Sequence, residues 1–227
     1  MGREDWYQNE GWNSEIEKGF LERLARSRGQ RDQQLKIQVQ MLAERFPSDA
    51  LSLIDLYNDT RTEKNWDLDV IAASARAYEV LGETDKALDS YRSILQHDEN
   101  KPFFPTWVLL GAPFLIARKG KVSDFPYAFE LLQRAKLNIS KQGLNFAVQR
   151  FVFYACYALI RHRSGQKEEA KENAVAALQE AGVRHSGLRY HRKVGLVGTE
   201  HQATILALKS ITSGYPIWLL ALMAKVG

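Results

Sequence analysis

Apolar residues recur three and four positions apart through most of the chain, the period of amphipathic helices rather than of strands. Ile16, Phe20 and Leu24 mark one such face, and Ser14 with Glu17 has capping-box spacing, so a first helix is predicted to open at Ser14. Trp6 and Trp12 precede it and are expected to fold back over it. The segment QLKIQVQML, residues 34–42, alternates apolar and polar and by itself reads as a strand. It also places Leu35, Val39 and Leu42 on one helical stripe that Ala43 to Phe46 continues. No neighbouring segment offers a strand to pair with, so helix is the prediction. Pro47-Ser48 should stop that helix and cap the next, in which Leu51, Ile54 and Tyr57 face inward.

From Asp67 the helices come in a repeating pair. Tyr78, Gly82, Ala87 and Tyr91 are spaced four, five and four apart. Gly82 permits a left-handed turn, Thr84 can cap the second helix, and Ala87 lets the two helices approach. This pattern resembles the tetratricopeptide repeat. A second copy runs from Phe151 to Arg184, with Ala158, Gly165, Ala170, Ala174 and Ala177 in matching places. Between them Gly120, Ala128, Leu132 and Ala135 repeat the pattern with three extra residues in the turn. Gly111 and Pro113 should bend or break the first helix of this middle unit, since an interior proline costs ~3 kcal/mol. The resemblance covers residues 68–184 and departs from the family at Ile94, where alanine is usual, and at Glu99, where proline is usual. EDWYQNEGWN near the start, and HSGLRYH with VGLV near the end, are similar to a family of bacterial helical-repeat proteins of uncharacterised function.

The expected fold is all-α: a right-handed stack of antiparallel helix pairs, a tetratricopeptide-like solenoid, with an extended C-terminal segment. Residues 1–66 form N-terminal helices packed on the array, 67–184 the repeats, and 185–227 a basic extended segment followed by a terminal helical region from Thr199.

The apolar fraction of 45% and charged fraction of 26% exclude a disordered chain. The run PIWLLALMA at 216–224 is shorter than the ~20 residues that cross a bilayer. The N-terminal residues carry no apolar stretch of the secretory kind, so a cytoplasmic location is expected. The single cysteine, Cys156, lies in an apolar run and is expected to be a small buried hydrophobe. The net charge of +4 equals the contribution of Arg184, Arg189, Arg192 and Lys193, which share the segment 184–193 with no acid.

Catalytic chemistry finds no motif. The chain has no HExxH, Walker loop, GxGxxG or GxSxG, and His185 and His191 are six apart, on neither one helical nor one strand face. No catalytic residue, metal site or cofactor is predicted. Binding finds more. The resemblance implies a groove lined by the first helix of each pair, which gives Arg76, Glu79, Trp107, Phe114, Arg118, His162 and Arg163. Ala72 and Arg76 stand where the carboxylate-gripping subset of the family has lysine and asparagine, which disfavours that function. The second candidate is the basic segment: Arg184, Arg189, Tyr190, His191, Arg192 and Lys193 offer charge and stacking capacity, with Leu188 and Val194 to Val197 expected to anchor it over the repeats. The expected function is a non-enzymatic protein-binding module, such as a bacterial adaptor or a toxin-neutralising immunity protein, whose partner presents an acidic surface. Nucleic-acid or anion binding through 184–193 is the alternative, and no membrane partner is expected.

Overall fold

The computed structural model describes residues 6–27, 29–97, 106–142 and 146–218, without the side chains of 97, 106–108 and 137–142. These residues form α-helices and short 3-10 turns, with no strand among them. The chain divides into two compact units, 1–100 and 101–227. The division falls inside the stretch 67–184 expected to be one array, leaving one of its helix pairs in the first unit and two in the second.

The first unit holds α1 (Ser14–Arg26), α2 (Arg31–Leu42), α3 (Pro47–Thr60), α4 (Asp67–Leu81) and α5 (Thr84–His97). Each packs on its neighbour in the chain, and α2 also meets α4. Phe20, Leu24, Leu35, Val39, Leu42 and Tyr57 fill the core, and Trp12 and Trp6 lie against Phe20 at ring distances of 5.7 and 5.5 Å. The helix prediction for 34–42 holds, and the period-two signal has a physical origin. Gln34 and Gln38 are buried along with the apolar stripe. The Gln38 amide accepts from the Asn9 backbone N–H and donates to the Asn9 carbonyl, and Gln34 accepts from the Ser27 hydroxyl, so these polar groups enter the interior paired.

Three local expectations shift. The cap of α1 is Asn13, whose Oδ1 accepts from Glu15 and Ile16, so Ser14 is the first helical residue rather than the cap. Helix α2 stops at Leu42 and residues 43–46 turn, with both Arg45 and Phe46 donating to the Leu42 carbonyl. Pro47 takes the first position of α3, where its missing N–H costs nothing, and Phe46 rather than Ser48 is the flanking residue. The link from α3 to α4 is held by two buried carboxylates. Asp32 accepts from the backbone N–H groups of Thr62 and Glu63, while Asp67 accepts from the Tyr57 hydroxyl at 3.0 Å and pairs with Arg61 at 2.9 Å. Gly82 ends α4 at φ 79°, with Glu83 donating back to the Tyr78 carbonyl, the left-handed closure that the glycine was expected to permit.

The second unit holds α6 (Thr106–Lys119), α7 (Phe125–Gln142), α8 (Ala147–Arg163), α9 (Lys167–Ala181) and α10 (Gln202–Ser213). Helix α6 packs on α7 and α8, α8 on α9, and α10 on both α8 and α9. Ala128, Ala135, Ala158, Ala170, Ala174 and Ala177 are fully buried, as is Ala87 in the first unit, so small side chains stand where helices meet. Of the bend or break expected at Gly111 and Pro113, the break does not occur. Helix α6 runs unbroken through Pro113, which sits at the eighth helical position, buried. Its C-terminus closes at Gly120, where a β-carbon would lie 2.7 Å from the Ile116 α-carbon.

Candidate functional site

The residues assigned to a groove are largely engaged in holding helices together. Arg76 on α4 reaches the Glu44 carboxylate beyond the end of α2, donating from Nε at 2.7 Å. Burial disfavours its charge, but Glu44 outweighs that and raises its pKa. Glu79 accepts from the Tyr91 hydroxyl at 2.8 Å, which ties α4 to α5. The Arg118 guanidinium lies 4.2 Å from the centre of the Phe114 ring, one helical turn away, and the same ring meets His201 edge-on at 5.5 Å.

Arg163 has a definite structural use. From the last turn of α8 it donates to the carbonyls of Ile116, Ala117 and Gly120 at 3.1, 3.2 and 2.6 Å. Those oxygens belong to the last turn of α6 and the glycine after it, where the helix dipole is negative; the Ile116 carbonyl also accepts from the Gly120 N–H at 2.9 Å. A planar guanidinium satisfies several of them at once, and the same group lies 4.9 Å from the Phe125 ring. His162 beside it is exposed, and the Trp107 side chain lies outside the described residues. Sequence reading missed His201, which is wedged between the Phe114 and Phe151 rings and so joins the turn before α10 to α6 and α8. A lone histidine in a polar stretch carries no signal of that role.

The basic segment behaves differently. Residues 184–198 are not an extended strap but a loop of turns closed on itself. Ser186 donates its backbone N–H to the Arg192 carbonyl at 3.0 Å and its hydroxyl to the His191 carbonyl at 2.7 Å, and its oxygen accepts from the Leu188 N–H. Gly187 turns at φ 79°. The expected anchor is corrected in part: Leu188 and Val194 are exposed, and the hold falls on Gly195, Leu196 and Val197. The Gly195 carbonyl accepts from Val148 N–H at 2.9 Å, and its α-carbon lies so close to the Phe146 ring that a β-carbon would sit 2.2 Å from it. Half-buried anchorage thus follows the cations rather than surrounding them. Arg184, His185, Arg189, Tyr190, His191, Arg192 and Lys193 are all exposed. Their side chains make no ion pair or hydrogen bond with a described residue; the one contact is Arg189 stacked 5.4 Å over Tyr190, itself 80% exposed.

The two units carry opposite charge. Residues 1–100 have 13 Lys and Arg against 20 Asp and Glu, a net of −7; residues 101–227 have 18 against 7, a net of +11. The excess therefore does not reside only in 184–193: the loop is the unpaired part of a unit that is basic in sum.

Among the described residues no group of three or more His, Cys, Asp or Glu side chains is placed to hold a metal ion, and no helix is long and apolar enough to cross a membrane. Cys156 is fully buried, and burial pushes its thiol pKa well up. No known protein family, curated protein or solved structure matches the chain.

Proposed function

We propose that the chain is a non-enzymatic, helical-repeat binding module that takes a protein partner with an acidic surface through loop 184–193. The observation that carries this reading is the set of unpaired cations on a backbone closed by Ser186 and seated through Gly195. Charged side chains presented without internal partners pay little to leave the fold for a ligand, and a closed loop loses less entropy on binding than a free tail. A tetratricopeptide-like architecture is part of the proposal. Its support is the α4–α5 and α8–α9 pairs, each turning at a glycine of φ near 80° and each burying alanines, together with the packing of α6 on α8. An adaptor or immunity role fits a module of this kind and is the physiological setting proposed.

The test reverses Arg189, Arg192 and Lys193 to Glu. Capture of the acidic partner should weaken mainly through slower association, and the loss should shrink as salt screens the charges. Because these side chains have no fold partner, the melting temperature should stay at the wild-type value. An unchanged association rate at low salt would refute the loop as the contact.

A further inference from the structure

The acidic surface that suits the loop is present on the chain itself. Helix α3 and the residue before it, 46–60, contain Asp49, Asp55 and Asp59 and no lysine or arginine. Asp55 and Asp59 are exposed, one helical turn apart, where like charges repel. None of the three forms an ion pair or hydrogen bond with a described residue, and the loop cations likewise have none. Each chain therefore carries an unsatisfied acidic face on a unit of net −7 and an unsatisfied basic loop on a unit of net +11.

We propose that the chain self-associates, loop 184–193 of one copy docking on the acidic first unit of a second copy along α3. This rests on the reading of the loop as the contact surface and names its partner. A second copy fits the charge distribution better than a nucleic acid. A nucleic acid offers charge to the loop alone, whereas a second copy offers acids for the loop and a basic loop for the acidic face. Each such contact satisfies one loop and one acidic face.

Sedimentation velocity of the full chain at ~20 mM and ~500 mM salt reads this directly, since screening shortens the reach of exposed charges between those conditions. The wild type should sediment above monomer mass at low salt and as monomer at high salt. Two variants, R189E/R192E/K193E and D55K/D59K, should each be monomeric at both while keeping wild-type circular dichroism. Mixed together they should associate again, because each then supplies the charge the other lacks. A wild type that is monomeric at low salt, a loop variant that still associates, or a mixture that does not recover, each overturns the proposal. If the wild type is monomeric yet captures an acidic protein in a loop-dependent way, only the second copy is refuted and the contact surface stands. Loop-dependent retardation of an oligonucleotide by a monomeric wild type would instead assign the loop to nucleic acid.

Discussion

Replacing Arg163 with Met should separate the two roles that its position suggests, lining a groove or closing a helix. The substitution keeps a long apolar stem beside Phe125 and removes the guanidinium's bonds to the carbonyls of Ile116, Ala117 and Gly120, of which Ile116 keeps the Gly120 N–H. A hydrogen bond from a charged donor contributes ~1.5–3 kcal/mol in favourable settings. A cation at a helix C-terminus adds ~0.3–1 kcal/mol at the surface. The three bonds share one side chain that is itself exposed, so water competes for it and the contributions do not add. The carbonyls do not escape so easily: Ala117 and Gly120 are buried, and losing the guanidinium leaves their oxygens with poor access to solvent. A net loss of ~2 kcal/mol follows from these opposing terms. For a unit of this size that is a fall of ~6–10 °C in Tm. The assay is thermal and urea unfolding followed by far-ultraviolet circular dichroism, with Arg163→Lys as a companion. The ammonium retains the charge but cannot span three carbonyls, so Lys should recover ~0.5–1 kcal/mol. A Met variant that melts within a degree of wild type would refute the capping argument. If that same variant also lost partner binding, Arg163 would return to the groove.

Three further outcomes are expected. Ala87→Leu and Ala170→Leu should each destabilise by ~1–3 kcal/mol in urea unfolding, because both alanines are fully buried where helices cross; two wild-type midpoints would refute the close contact. Gly195→Ala combines a φ of 72° with a β-carbon 2.2 Å from the Phe146 ring. It should lower Tm and raise the trypsin cleavage rate at the arginines of 184–193, and unchanged proteolysis would show that Gly195 does not seat the loop. Cys156 should resist a thiol reagent in the native protein and react at once after unfolding, since burial both excludes the reagent and disfavours the thiolate; rapid native labelling would contradict its placement.

Local chemistry was legible along the chain because its causes are local. The period of Ile16, Phe20 and Leu24, the proline at the start of α3 and the left-handed closure at Gly82 each depend on residues within one or two turns, so all could be read before any tertiary contact was known. The helix at 34–42 was legible only by weighing two periods, since the glutamines that confuse the pattern are buried by partners at Asn9 and Ser27. Pro113 marks the limit of such reasoning. Its local cost argues for a break, yet α6 runs through it, packed on α7 and α8 and closed at its end by a residue 47 positions on in sequence.

The functional residues divide along the same line. The tetratricopeptide resemblance pointed to Arg76, Phe114, Arg118 and Arg163, and residue types to the cations of 184–193, with equal force, because a free arginine and an arginine bonded to a distant carbonyl are the same letter. Only the folded chain distinguishes them, joining Arg76 to Glu44 and Arg163 to the end of α6 while leaving Arg184, Arg189, Arg192 and Lys193 in solvent. The charge of the whole chain was likewise set by composition, but its separation into an acidic and a basic unit needed the boundary near residue 100, which is a property of which helices pack together. Periodicity records what each residue does to its own helix; satisfaction of a charge or a carbonyl depends on what the fold brings to it from elsewhere.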